Sequence, residues 1–236
     1  MNVVKGKGGS ATMRTLYQRL ELGDDERLAY ARRDGTLPEV VFLPGFRSDM
    51  TGTKAVFLET QCRAKARACT RFDYRGHGAS SGRFEDGTIS AWLDDTLAIL
   101  DRVAGSRFVL VGSSMGGWLA LLAGLRRTER LAGLVLVAPA PDFTSRLLEP
   151  ALTAEQHAAL ERDGCFLAPS IYGEPIPITR RLIEDGRRHR LLDGEIALGC
   201  PVHILHGQRD PDVPWRLSLE LAARLRSEAV TVELIE

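Results

Sequence analysis

The fold of this chain is decided by one stretch, residues 108–119, which reads FVLVGSSMGGWL. Its first four residues are all apolar, which is typical of a strand covered on both faces in a parallel sheet. Gly112 to Gly116 then fits the pattern G-x-S-x-G, and residues 115–125 continue as a helical segment. A strand, a tight turn and a helix in this order form a nucleophile elbow, which exposes the serine hydroxyl above the sheet. The stretch therefore predicts Ser114 as a nucleophile.

The glycines on either side of Ser114 fit this interpretation. The serine of an elbow sits on a strained turn, where side chains two residues away would collide with neighbouring backbone. The turn also points the backbone N–H of Met115 at the reacting carbonyl. The alternative is a turn of small residues, with Ser113 as a filler, that only lets a strand and a helix pack closely.

Short apolar runs and helical segments alternate along the rest of the chain. Residues 16–22 and 27–32 indicate an antiparallel hairpin. Further strands are predicted at 40–43, 70–74, 134–137, 202–205 and 230–235, and further helices at 54–66, 88–103 and 215–226. Strands that alternate with helices of this length predict an α/β fold with a mostly parallel sheet and helices on both faces.

The chain is expected to form one domain, residues 13–236, behind a flexible leader at residues 1–12. Residues 141–199 interrupt the alternation, because they contain several prolines and helical patches at 154–162 and 179–190 but no convincing strand. Ligands of such folds bind beyond the carboxyl ends of the strands. This insertion is therefore expected to form a helical lid or a pocket wall.

Composition argues against several classes of protein. Lysine and arginine number 31, as do aspartate and glutamate, so the net charge is zero and gives no case for a nucleic-acid partner. No apolar run approaches the roughly 20 residues of a membrane helix, and no secretory signal is visible. The four cysteines lack metal-ligand spacing, so we expect free buried thiols, a cytoplasmic location, no metal and no cofactor. The oligomeric state is not predicted.

Two further loops follow predicted strands and complete the candidate site. The sequence LPGF at 43–46 ends a strand, and the N–H of Phe46 is the candidate second donor of an oxyanion hole beside Met115. The sequence HGQRDPDVP at 206–214 follows another strand, where an acid should orient a catalytic histidine. Asp210 and Asp212 compete for that role, and the pattern H-G-x-x-D-x-x-V-P favours Asp210.

None of the five histidines stands out as the base. His77 lies on a glycine-rich loop near the expected rim of the site. His203 alternates with apolar neighbours in a strand, and His206 is expected to be a turn residue that opens the acid loop. His157 and His189 lie in the insertion, where solvated helix faces are expected.

These motifs resemble the α/β-hydrolase superfamily from about residue 16 to the last residue. The closer resemblance is to the mitochondrial palmitoyl-protein thioesterases of the abhydrolase-domain group. It rests on LPGF at 43–46, MTGTKA at 50–55, RFDY at 71–74, VGSSMGGWL at 111–119 and HGQRDPDVPW at 206–215. The resemblance implies Ser114 as nucleophile, Asp210 as acid, and an activity that removes fatty acyl groups from cysteine thioesters or cleaves related esters.

The sequence departs from this pattern at the histidine. In the family it lies in a loop after the last strand, which counted from Asp210 falls just beyond Glu236. The C-terminal histidine loop and the last helix are therefore expected to be missing, and the chain to be a shortened, poorly active form of an enzyme. A general carboxylesterase is the nearest alternative. A non-catalytic binding protein on the same fold is the alternative from another class.

Overall fold

An eight-stranded sheet runs through the centre of the molecule in a computed structural model, which describes residues 17–23, 25–169 and 174–236. The strands of this sheet are β1 Gln18–Gly23, β2 Glu26–Arg33, β3 Thr36–Leu43, β4 Arg67–Phe72, β5 Phe108–Ser113, β6 Leu131–Val137, β9 Val202–Gly207 and β10 Val230–Ile235. A separate pair comprises β7 Cys165–Ala168 and β8 Ile176–Thr179. The helices are α1 Thr53–Ala64, α2 Ile89–Arg102, α3 Met115–Arg126, α4 Ala154–Asp163, α5 Arg180–Gly186 and α6 Arg216–Arg224.

The strand order is β1-β2-β4-β3-β5-β6-β9-β10. Strand β2 pairs antiparallel with β1 and with β4, and the remaining neighbours pair in parallel. The predicted hairpin and the predicted mostly parallel sheet are both confirmed. Because β3, β5 and β9 run in the same direction, the loops that follow them open at the same edge of the sheet.

Helices cover both faces of the sheet, as the alternation along β5 illustrates. Leu110 packs into the larger core with α2, α3 and α6, whereas the next residue, Val111, packs with α1 on the opposite face. Helix α3 is almost entirely buried, and both its own Trp118 and Trp92 of α2 are fully buried. This explains why strand β5 carries no polar residue before Gly112.

The expectation that residues 141–199 contain no strand was wrong. Strands β7 and β8 pair antiparallel, with Leu167 opposite Pro177. Strands of four residues place only two side chains on each face, and Pro177 interrupts β8, so neither shows the alternation that reveals a strand. The insertion also has a small core of its own around Leu160, Ile178 and Ile183.

The helical part of the insertion agrees better with the sequence. Helix α4 occupies the first predicted patch, and Thr153 caps it in a capping box with Gln156. Helix α5 covers only the first part of the second patch and continues as a short 3-10 turn, Arg187–His189. The predicted leader at residues 1–12 lies outside the described residues. Among the described helices, none is both long and apolar enough to cross a membrane.

Candidate active site

Ser114 occupies a strained turn between β5 and α3. Its backbone angles are φ 53° and ψ −119°, a left-handed conformation that costs energy for any residue with a Cβ atom. Three hydrogen bonds hold the turn. The Ser114 N–H donates to the Val137 carbonyl at 3.0 Å, and the Ser114 carbonyl accepts from Gly117 at 2.9 Å and Ala140 at 3.1 Å. The surrounding chain thus holds Ser114 in a conformation it would not adopt by itself.

The two glycines that flank the turn have no room for a side chain. A Cβ atom at Gly112 would lie 2.3 Å from the carbonyl oxygen of Gly116. A Cβ atom at Gly116 would lie 2.1 Å from the carbonyl oxygen of Leu43. Both distances are far inside van der Waals contact, so the pattern G-x-S-x-G is a steric requirement of this elbow.

The loop after β3 lies directly against the elbow. A Cβ atom at Gly45 would lie 3.4 Å from the Cβ atom of Ser114, and Phe46 and Met115 line the same cleft as the serine. Among the hydrogen bonds of residues 17–23, 25–169 and 174–236, the N–H groups of Phe46 and Met115 have no acceptor. Unpaired backbone N–H groups near a serine hydroxyl are the kind of donors that form an oxyanion hole.

The acid loop, residues 206–214, begins at the end of β9. Both of its candidate acids, Asp210 and Asp212, line the cleft. The Oδ1 atom of Asp210 accepts from the N–H groups of Asp212 and Val213, each at 2.9 Å. Asp210 is half-buried, whereas Asp212 is exposed. A side chain whose orientation is fixed by two hydrogen bonds is better suited to orient a partner, which favours Asp210 over Asp212.

His206 differs from its expected role as a turn residue. It lies within β9 and is 1% exposed. Its Nε2 atom is 2.9 Å from the Val213 carbonyl, and its Nδ1 atom is 2.7 Å from Ser218 Oγ. A carbonyl only accepts, so Nε2 carries the proton and Nδ1 accepts from the serine hydroxyl. Both nitrogens are therefore occupied. The structure buries Val202, Ile204 and His206 at every second position, so His206 continues the inward face of the strand.

The histidines of the insertion differ from one another. His157 is exposed on α4, as expected. The prediction of a solvated face was wrong for His189, whose side chain is 14% exposed and whose Nε2 atom is 2.7 Å from Ser90 Oγ. Asp185 holds the same hydroxyl, so this cluster joins α5 of the insertion to the start of α2. Such a long-range contact has no signature in the local sequence.

The other two histidines also stay away from the serine. His203 is 3.5 Å from Glu233 on the neighbouring strand. His77 is 5% exposed, and burial lowers its pKa to about 4. Among the hydrogen bonds of the described residues, none joins a histidine to Ser114 or Asp210. The structure therefore brings the predicted nucleophile, acid and amides to one cleft without a histidine in position as base.

The cleft has a volume of about 970 Å³. Its lining includes Ser114, Phe46, Met115 and Asp210. The wall contributed by the insertion is largely apolar and includes Phe143, Leu147, Leu148, Ile176 and Ile178. An apolar wall beside a nucleophile fits a hydrocarbon chain, and the interpretation of residues 141–199 as a lid stays a prediction.

The four cysteines are free. Cys62 and Cys69 are buried, and burial raises the pKa of Cys69 above its ordinary range. The expectation that all the thiols are buried was wrong for Cys165, which is exposed, and Cys200 is only partly covered. Cys165 lies in β7, which had not been recognised as a strand.

Comparison with known proteins agrees with the architecture. A model of the alpha/beta hydrolase family matches residues 40–235. The mitochondrial palmitoyl-protein thioesterase ABHD10 of Homo sapiens is 38% identical over 223 residues, which are 94% of this chain and 72% of that protein.

Two solved structures are also similar over most of their length. A putative hydrolase from Agrobacterium vitis S4 has a TM-score of 0.88 and 44% identity, covering 94% of this chain and 89% of the other. Alpha/beta hydrolase domain-containing protein 10 from mouse has a TM-score of 0.85 and 38% identity, with the same coverage. These identities extend well beyond what a shared fold alone produces.

Proposed function

Because this chain belongs to the α/β-hydrolase family, we propose that it is a serine hydrolase that cleaves acyl thioesters or carboxylic esters through an acyl-enzyme on Ser114. One observation carries the proposal. Ser114 stands in a strained elbow, and two N–H groups of residues that line the same cleft lack acceptors among the described residues: that of Phe46 in the loop after β3 and that of Met115 at the start of α3. That arrangement stabilises the oxyanion of acyl transfer.

The mechanism has two steps of acyl transfer. The Ser114 hydroxyl loses its proton to a base and attacks the carbonyl carbon, and the Phe46 and Met115 amides stabilise the resulting oxyanion. The tetrahedral intermediate collapses, and the thiol or alcohol leaves with a proton. Water then attacks the acyl-enzyme in the same way and releases the carboxylic acid. Asp210 is assigned the role of orienting this base, and no described histidine is hydrogen-bonded to Ser114 or to Asp210.

The proposed substrate is a fatty-acyl thioester. The apolar wall around Phe143, Leu147 and Ile176 suits an alkyl chain next to Ser114. The relatives named palmitoyl-protein thioesterase support a cysteine thioester as the bond that is cleaved. A general carboxylesterase acting on small esters is the alternative within the same chemistry, and chain-length preference separates the two.

A binding protein on the same fold is the second candidate. The observation that favours it is the absence of a histidine contact to Ser114 among the described residues. A protein of this kind would bind an acyl compound and show no hydrolysis that depends on Ser114. Against it, the strained backbone of the elbow costs stability without a benefit for binding alone.

The location of the protein is a separate proposal. The sequence by itself suggested the cytoplasm, but the relatives at 38–40% identity bear the name mitochondrial, so a cytoplasmic location is not supported. Imaging of the tagged protein in its own cells would decide between the two compartments.

The test compares hydrolysis of a palmitoyl thioester by the chain and by its Ser114→Ala variant, each with and without added imidazole. Imidazole supplies in solution the base that the described histidines do not provide. We expect imidazole to increase the rate of hydrolysis by the unmodified chain. We expect Ser114→Ala to lower that rate by a factor of about 10³ or more. The matched control is Ser113→Ala, which removes the neighbouring hydroxyl and should retain the activity.

Each outcome has a definite meaning. Loss in Ser114→Ala but not in Ser113→Ala supports the proposal. Equal hydrolysis by the protein and by Ser114→Ala would overturn it. Tight binding of a palmitoyl compound, without hydrolysis at any imidazole concentration, would favour the binding protein.

A further inference from the structure

A buried histidine contacts the loop that carries the proposed oxyanion amide. The backbone N–H of Arg47 donates to Nε2 of His77, with the two nitrogens 3.3 Å apart. The Nδ1 atom of the same ring is 3.3 Å from the carbonyl oxygen of Arg75. Since a carbonyl only accepts, Nδ1 carries the proton and Nε2 offers its lone pair to Arg47. The ring is therefore a neutral acceptor for the loop.

The contacted N–H belongs to the central peptide of a β-turn. The Ser48 N–H donates to the Gly45 carbonyl at 3.0 Å, which closes a four-residue turn with Phe46 and Arg47 in the middle. Arg47 has φ 61°, and Phe46 is not among the residues with positive φ. Positive φ at the third position only is the signature of a type II turn, which normally places glycine there. Arg47 is thus strained.

Type I and type II turns differ by a flip of this central peptide. A flip to type I would relieve the strain at Arg47, because a type I turn needs no positive φ. The flip would leave the Phe46 N–H in the preceding Gly45–Phe46 peptide, but it would release the turn from His77. The closing bond of this turn, from the Ser48 N–H to the Gly45 carbonyl, is the bond that holds the Gly45–Phe46 peptide. The hydrogen bond to His77 opposes this flip, since the flipped Arg47 N–H would point away from Nε2.

The surroundings keep the His77 ring neutral and fixed. The rings of Phe84 and Trp92 pack against it with centroids 5.1 and 5.2 Å away. The Phe46 ring packs against the same two rings at 4.9 and 5.8 Å. One aromatic cluster therefore holds the acceptor and the loop it contacts. The charged groups that face the ring are Arg47 and Asp49, and burial is the largest cause of its lowered pKa.

We propose that His77 is a positioning residue, which anchors the turn at residues 45–48 through the Arg47 N–H and thereby keeps the adjoining Gly45–Phe46 peptide, with its Phe46 N–H, in place for the oxyanion hole. The proposal rests on the proposed function, because it assigns His77 a role in the hole and not in proton transfer. The competing explanation is that His77 only fills space in the aromatic cluster.

Two substitutions separate positioning from packing. His77→Phe keeps an aromatic ring but removes the acceptor, whereas His77→Gln offers an amide oxygen at similar reach and loses the ring. We expect kcat for imidazole-assisted hydrolysis to fall about 10- to 100-fold in His77→Phe with KM nearly unchanged, less than the ~10²–10³-fold loss of a whole donor. His77→Gln should recover most of this loss. His157→Phe, at an exposed histidine, is the matched control and should change neither constant.

A measurement on the hydrogen bond itself does not depend on activity. In ¹⁵N-labelled protein, an N–H···N hydrogen bond gives a scalar coupling between the Arg47 nitrogen and His77 Nε2. We expect this coupling in the unmodified protein. Its absence would overturn the proposal, as would an unchanged kcat in His77→Phe. Equal losses of kcat in His77→Phe and His77→Gln, matched by equal losses of thermal stability, would establish packing as the role.

Failure of the proposed function would look different. If Ser114→Ala retains full hydrolysis, the oxyanion role of Phe46 falls and with it the role of His77 in catalysis. The Arg47–His77 coupling would still be observed in that case. The opposite result is also informative. If the Arg47–His77 coupling is absent but hydrolysis depends on Ser114, the proposed hydrolase function stands and only the positioning role of His77 is removed.

Discussion

The imidazole of His206 donates from Nε2 to the carbonyl oxygen of Val213 at 2.9 Å, which ties the end of β9 to the far end of the acid loop. The Val213 N–H in turn donates to Asp210 Oδ1 at 2.9 Å. Val213 thus connects two side chains: its carbonyl accepts from the buried His206, and its N–H donates to the half-buried carboxylate of Asp210. We infer that the orientation of Asp210 depends on His206, a buried strand residue.

Removing the hydroxyl of Ser218 should weaken this connection. In Ser218→Ala the buried Nδ1 atom of His206 loses its donor, and an unpaired buried polar atom costs about 1–3 kcal/mol. We expect the free energy of unfolding, measured by urea denaturation, to fall by that amount. The control is Ser106→Ala at an exposed serine, which should stay within about 0.5 kcal/mol. A loss in Ser218→Ala no larger than the control's would mean that a water replaces the hydroxyl.

Adding one methyl group at Gly116 should disrupt the elbow. The new Cβ atom would lie 2.1 Å from the Leu43 carbonyl oxygen and 2.5 Å from that of Pro44, so β3 and α3 must separate. We expect Gly116→Ala to lower the free energy of unfolding by about 3 kcal/mol or more, or to prevent folding. Gly194→Ala is the matched control, since a Cβ atom there meets nothing within 4 Å. Equal thermal midpoints for the two variants would contradict the steric argument.

Acid should destabilise the protein through His77. Its pKa is about 4 in the folded state against 6.5 for the unperturbed side chain. Below pH 6.5 the unfolded chain takes up a proton that the folded protein does not, so the contribution of His77 to stability is lost as the pH falls to about 4. A shift of this size corresponds to about 3 kcal/mol.

A difference measurement isolates this contribution, because a second buried group acts in the opposite direction. Burial raises the pKa of Asp95 to about 6. As the pH falls, this carboxyl therefore binds its proton in the folded state at a higher pH than in the unfolded state, which offsets part of the loss of stability caused by His77. We therefore expect the stability of the protein relative to His77→Gln to fall between pH 6.5 and pH 4 and to be constant above pH 7. A difference that does not vary with pH would show that His77 titrates normally.

The elbow shows how much local sequence predicts. An apolar strand, glycines at 112 and 116, and a helical segment define the strand–turn–helix unit, since the steric constraints act among neighbours in the chain. The predicted hairpin and the parallel sheet depend on the same short-range patterns, and both are confirmed. The paired strands β7 and β8 were missed because four residues carry too little alternation.

The histidines show what local sequence does not contain. His206, His77 and His189 have unremarkable neighbours in the sequence. Each nevertheless has at least one hydrogen-bond partner that lies between 7 and 99 residues away. Whether such a side chain accepts, donates or faces solvent depends on these contacts.

The class of fold, the strand–turn–helix unit around Ser114 and the two loops expected beside it could be predicted from the sequence, because the periods of strands and helices and the sterics of a tight turn act over a few residues. The contact of the Gly45 turn with Ser114 and the hydrogen bond from Arg47 to His77 became visible only in the tertiary structure. Those relationships join segments far apart in the chain, and they arise when the sheet and its two layers of helices close around one core.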